Sequence, residues 1–175
     1  MRVINLFAGP GTGKSTTAAG LFYLLKLKGI NCELVHEEAK EFTWEERQMT
    51  LGCQPYIFAK QMRNLWRLKG KVDYAITDSP ILLSLAYAVS GEWPASFNDY
   101  VVDQFNAFEN VNFFLTRSKP YQMVGRSQSF EEAIALDRKI IKILLDNDVS
   151  YATIPANDKA PQTLETYLKL FDEKP

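Results

Sequence analysis

Gly13-Lys14-Ser15 closes a run of small residues, "FAGPGTGKSTTAAG" at 7–20, and such a run is built to hold a phosphate. Backbone N–H groups of a glycine-rich turn curl around a β-phosphate, a lysine reaches the β and γ oxygens, and a Ser or Thr hydroxyl ligates Mg²⁺. The pattern G-x-x-x-x-G-K-[ST] asks for glycine at position 8, where this chain carries Ala8. Alanine is small enough, and Gly9 and Gly11 keep the turn flexible. The expected nucleotide contacts are therefore Gly9, Gly11, Thr12, Gly13, Lys14, Ser15 and Thr16. The expected ligands are ATP and Mg²⁺, with the ion on Ser15 and on Asp78, which ends the apolar run "VDYAITD".

A held triphosphate is either hydrolysed or given to an acceptor. Motor ATPases often place a water-activating glutamate directly after the metal-binding acid, and here Ser79 follows Asp78. A motor of that kind also needs a further helical lid domain, for which 175 residues leave little room. The guanine-reading N-K-x-D is absent, since "NDK" at 157–159 has the wrong order. The loop at 117–128, "RSKPYQMVGRSQ", argues for transfer. A mobile cationic lid excludes water and neutralises charge on a moving phosphoryl group, which assigns Arg117 and Arg126 to the phosphates. The chemistry expected is that of a kinase. Glu37 and Asp78 each end a strand on the face that meets the γ-phosphate, and either can take the acceptor's proton. Asp78 is preferred because "DSP" is the more distinctive motif.

The acceptor side is expected in the helical segment at about 43–70. Lys60, Arg63, Arg67 and Lys71 recur at three- and four-residue spacing, so they share one helix face. No acid occurs between 54 and 71, and Tyr56, Phe58 and Trp66 are interleaved. Gln54 and Gln61 can hydrogen-bond a base edge. A basic stripe with aromatics suits a polynucleotide backbone or a nucleotide phosphate, through Tyr56, Arg63 and Arg67. Trp44, Tyr87 and Trp93 could receive a flipped base but read more simply as core.

Five short β-rich runs must position these groups: 2–8, 31–38, 72–78, 110–116 and 149–155. Helical patterns alternate with them, at 14–28, at 43–69 with a break near Gly52 and Pro55, at 129–146 behind a capping box, and at 161–171. That alternation predicts an α/β fold, a five-stranded parallel sheet covered on both faces, carrying its ligands at the carboxyl ends of the strands. The whole of 1–175 reads as one domain with a small lid. A net charge of −1 gives no global pull toward nucleic acid or anionic membrane. The longest apolar run, "ILLSLAYAV", is well short of the ~20 residues of a membrane span. With two lone cysteines and no secretory signal, the expected setting is a reducing cytoplasm.

The chain resembles the small P-loop kinases, in particular a phage-type group of AAA-like proteins related to nicotinamide-riboside kinase domains. The resemblance runs through "GPGTGKST", "VHEEAKEFTWE", "QPYIFAKQMR", "VDYAITDSPILLSLAY", "RSKPYQMVGRSQSFEEAIALD" and "DNDVSY". "TDSP" together with "KPY…GR.Q..EEA…D" is its specific part. Some members of the group are 5-hydroxymethyluracil DNA kinases, so the resemblance implies transfer from ATP to the 5-hydroxymethyl group of that base in phage DNA, in the host cytoplasm. A free nucleoside or nucleotide as acceptor, or an ATPase or switch acting on a protein partner, are the alternatives. In related nucleoside kinases a glutamate after the second strand is the base, a position that Glu37 matches.

Overall fold

The computed structural model describes residues 1–89, 91–121 and 128–172. The strands are β1 (Arg2–Phe7), β2 (Cys32–Val35), β3 (Tyr74–Thr77), β4 (Glu109–Thr116) and β5 (Ala152–Pro155). They form one parallel sheet in the order β2-β3-β1-β4-β5. Central β1 and its neighbour β3 are apolar almost throughout, as strands covered on both faces must be. Because every strand runs the same way, the segments that follow Phe7, Val35, Thr77, Thr116 and Pro155 all emerge at one edge of the sheet.

The helices are α1 (Lys14–Leu27), α2 (Ala39–Trp44), α3 (Gln48–Gly52), α4 (Gln54–Trp66), α5 (Ser84–Tyr87), α6 (Ala95–Asn106), α7 (Phe130–Asp146) and α8 (Ala160–Asp172), with a 3₁₀ turn at Ile81–Leu83 leading into α5. Successive β1 side chains point to opposite faces. Ile4 and Leu6 pack with Leu21 and Leu25 of α1 and Leu164 and Leu168 of α8. Val3 and Phe7 pack with Phe58 and Leu65 of α4, Val101 and Phe105 of α6, and Ile140 and Leu144 of α7. Each such buried side chain stabilises the fold by roughly 1.5–3 kcal/mol. Both cysteines are free thiols, Cys32 being buried.

The five expected strands and their parallel α/β arrangement are the ones observed. The helical pattern expected over 43–69 resolves into α3 and α4, and it is preceded by α2, which starts earlier than expected at Ala39. Pro55 stands in the first turn of α4, where its missing N–H has no intrahelical partner to lose. The capping box forms: the Ser129 hydroxyl accepts from Glu132 N–H at 3.2 Å, and the Glu132 carboxylate accepts from Ser129 N–H at 2.6 Å. Helices α5 and α6 were not anticipated. The seam of α6 is Phe97, Val101 and Phe105 at four-residue spacing, but Asn98, Asp99 and Asp103 between them mask it.

Candidate active site

The turn between β1 and α1 is held open by its glycines. Gly11 (φ 76°) and Gly13 (φ 110°) adopt left-handed backbone that a side chain would strain, and Gly13 directly precedes α1. No acid lies in the first turn of α1, so its positive end stands unneutralised toward the turn. Lys14 folds back over the loop, donating to Ala8 O at 2.8 Å and Gly9 O at 3.1 Å. Buried Thr12 donates to the same Gly9 O at 3.0 Å. Ser15 and Thr16 are exposed at the helix start. Burial lowers the Lys14 pKa, against the opposing pull of the Glu37, Asp78 and Asp137 carboxylates. Three acids thus converge on one lysine.

Asp78 leaves the end of β3 only 3% exposed, and its Oδ1 takes no hydrogen bond among the described residues. A buried carboxylate oxygen without a donor is costly to leave so. That orphaned oxygen is what a hard divalent cation would satisfy, and Asp78 with Ser15 of the loop are the residues that would hold it. No group of three His, Cys, Asp or Glu ligands exists among the described residues, so an ion here would draw its other ligands from phosphate and water.

A cleft of about 560 Å³ opens from the loop between α2, α3, α4 and α5. Lys14, Ser15 and Thr16 line its head, and Glu37, following β2, lines its side. Gln54 and Gln61 of α4 face it but are already engaged. Gln54 donates to Leu51 O at 2.9 Å. Gln61 accepts from Glu38 N–H at 3.2 Å and donates to Thr77 Oγ1 at 3.3 Å. Tyr56, Arg63 and Arg67 lie on the exposed side of α4, apart from the cleft, together with Trp66. The cationic stripe of the sequence is therefore split. Lys60 turns to Glu38 at 2.8 Å and over the Phe42 ring at 4.8 Å, and Lys71 lies beyond the end of the helix.

Trp44 and Tyr87, read as core in the sequence, both line the cleft. Trp44 is 62% exposed, and burial pushes the Tyr87 phenol far above its ordinary pKa. The signal for Trp44 was its place in a charged stretch, "EFTWEER", with few apolar neighbours to bury it.

Glu38 is set apart from adjacent Glu37 by its partners. Burial raises its pKa, but hydrogen bonds from Lys60 and Asn64 and the charges of Lys60 and Arg67 outweigh that, and the net value falls below the ordinary carboxylate range. A depressed carboxylate contributes stability that is present above its unfolded pKa and is lost as pH falls through the folded one. Glu38→Ala should cost roughly 1.5–3 kcal/mol at neutral pH, the range for hydrogen bonds to charged groups. Urea unfolding of wild type and variant should converge as pH falls below the ordinary carboxylate range and through the lowered pKa of Glu38. A difference that stays constant until acid unfolds both proteins would mean that the charge contributes nothing.

A second, smaller cavity of about 210 Å³ lies behind the loop. Thr12, Thr16 and Thr17 line it from the loop and α1, and Lys119, Pro120, Asn157 and Asp158 from the loops after β4 and β5. Arg117, expected at the phosphates, is bound otherwise in this structure: Nε donates to Asp137 at 2.7 Å, and the two terminal nitrogens donate to Pro10 O at 2.8 Å and Ala133 O at 3.2 Å. Arg126, with the rest of 122–127 in the expected lid, lies outside the described residues. Asp137 of α7, which closes the motif "EEAIALD", was not among the expected site residues.

A phosphate loop after the central strand of a 2-3-1-4-5 parallel sheet defines the P-loop α/β fold. The chain belongs to the AAA domain family, whose sequence pattern matches residues 3–160. Among solved structures it is similar to deoxyadenosine kinase from M. mycoides with bound dATP, at a TM-score of 0.61 and 18% identity, over 97% of this chain and 100% of that one. No curated protein matches it in sequence. Among the described residues no helix is long and apolar enough to cross a membrane.

Proposed function

We propose that this protein is an ATP-dependent phosphotransferase acting on the hydroxyl of a nucleoside-type acceptor. The observation that carries this reading is Lys14, set among Glu37, Asp78 and Asp137 at the head of a nucleoside-sized cleft. Lys14 exchanges the carbonyls of Ala8 and Gly9 for donor phosphate oxygens, and the first turn of α1 supplies further N–H donors. The donor's base fits the second cavity, beside Pro120 and Asn157. Mg²⁺ held by Ser15 and Asp78 would neutralise phosphate charge. Glu37 lines the acceptor cleft and buried Asp78 does not, so the proton of the acceptor hydroxyl is assigned to Glu37 and the sequence preference for Asp78 gives way. Arg126 keeps its proposed role on the transferred group.

A free nucleoside is the acceptor that the cleft supports best. Its walls are close to the loop, and the deoxyadenosine kinase of similar fold gives a precedent for that substrate class. A second reading, transfer to 5-hydroxymethyluracil in phage DNA, draws on the outer face of α4, where Tyr56, Arg63, Trp66 and Arg67 are all exposed. Incubation with γ-labelled ATP and a panel of nucleosides, nucleotides, ordinary DNA and hydroxymethyluracil DNA separates these. Label on free nucleosides supports the first reading, and label confined to the modified DNA supports the second. Phosphate release with no labelled acceptor would move the protein to the ATPases.

On the DNA reading, Arg63→Ala with Arg67→Ala should make the slope of log affinity against log salt shallower by about 1.4 for single strands. ATP affinity should stay unchanged. An unmoved slope would leave that helix face as ordinary surface.

A further inference from the structure

We propose that Asp137 is a positioning residue for the phosphate loop, tying Gly9 to Arg117 so that the loop's first peptide keeps its orientation when donor phosphates arrive. The inference rests on the donor-site reading above. Asp137 lies two turns into α7, and its two oxygens divide the work. Oδ1 accepts from Gly9 N–H at 2.5 Å and Oδ2 from Arg117 Nε at 2.7 Å. Arg117 then reaches over the loop to Pro10 O. One carboxylate thus joins the loop after β1, the segment after β4 and the body of α7.

The Gly9 peptide is held at both ends. Its carbonyl accepts from Lys14 and Thr12, and its N–H is fixed by Asp137. When donor phosphates draw Lys14 away, Thr12 and Asp137 are the contacts that remain. Close approach is part of the arrangement. A β-carbon on Gly9 would stand 2.6 Å from Ala133 O, 2.8 Å from Asp137 Oδ1 and 2.9 Å from the Arg117 guanidinium. Glycine is required here by the helix pressed against it, not by its backbone angle.

The Arg117–Asp137 pair is also largely buried, each side chain 16% exposed. A pair this dry returns little net stability for its desolvation, so its contribution here is read as geometry rather than stability. It further means that the Arg117 charge is balanced by Asp137 within the ligand-free site.

The test is titration calorimetry with MgATP, thermal unfolding of the ligand-free proteins, and separate KM values for donor and acceptor. Asp137→Ala should weaken MgATP binding by about tenfold or more, as expected for loss of hydrogen bonds to a charged group. Donor KM should rise and acceptor KM hold. Asp137→Asn keeps the Gly9 contact and loses the Arg117 one, so it should fall between, and it carries the test if the alanine variant does not fold. Asp137→Glu should recover part of the affinity. The double variant with Arg117→Ala should bind no worse than Asp137→Ala alone, because the loss of Asp137 already removes the tie to Arg117.

Wild-type affinity in Asp137→Ala, or equal rises in both KM values with a lowered melting temperature, would overturn the proposal. Multiplying losses in the double variant would also overturn it, by showing that Arg117 acts on the phosphates independently. Absence of MgATP binding by the wild-type protein would remove the donor-site reading itself. Binding by wild type with an unaffected variant would remove only the role of Asp137.

Discussion

Lys14→Ala is expected to slow phosphoryl transfer by on the order of 10²–10³-fold, the loss typical of removing one preorganised donor from a developing charge. It should do so without harming the fold. Among the described residues of the ligand-free protein, Lys14 donates to two carbonyls of its own loop, Ala8 O and Gly9 O. Its burial acts against its charge, as the lowered pKa shows, so the folded state gains little from keeping it. The melting temperature of the variant should therefore equal or exceed that of wild type, while MgATP binding by calorimetry weakens. Activity within a few-fold of wild type would remove the phosphate loop from the chemistry. A collapse of the melting temperature would mean that the lysine holds the loop together, and the kinetic loss would then say nothing about phosphate.

How far the sequence revealed this site depends on what each residue requires. The loop was legible because glycines at 11 and 13 and a lysine at 14 are local requirements, satisfied within one turn. The sheet was legible because β1 and β3, covered on both faces, write themselves as apolar runs. Asp78 was legible for a similar reason, as a charge at the end of such a run. The α4 stripe misled because spacing says which side chains share a face and not what lies opposite. Lys60 meets Glu38, a residue 22 positions earlier, while Arg63 and Arg67 remain outward and Lys71 falls beyond the helix. The pairing of Arg117 was hidden in the same way, since its partner Asp137 arrives on a helix 20 residues later. Trp44 and Tyr87 entered the cleft through α2, which starts earlier than expected, and through the unanticipated α5. Groups whose role is set inside one element can be read from that element, whereas pairings across the fold cannot.

Glu37→Gln and Asp78→Asn should separate proton transfer from metal binding. Both acids support the charge of Lys14, so either change lowers that pKa further and weakens the phosphate grip somewhat. Beyond that shared effect they should diverge. Glu37 lines the acceptor cleft, and on the proposed assignment its loss removes the proton acceptor. The turnover rate should fall by roughly 10²–10⁴-fold, with MgATP affinity changed only a few-fold. Asp78 is buried with one oxygen lacking any donor among the described residues. Its amide replacement keeps the shape and discards the charge that an ion needs. Asp78→Asn should therefore raise the Mg²⁺ concentration needed for half-maximal rate, and ATP binding measured without Mg²⁺ should stay close to wild type. The pH profile discriminates further. A base that must be ionised gives a rate that rises with pH through its pKa, and that acid limb should vanish in Glu37→Gln and persist in Asp78→Asn at saturating Mg²⁺. If the limb vanishes instead in Asp78→Asn and survives in Glu37→Gln, the two roles exchange, and the acid after β3 is the base.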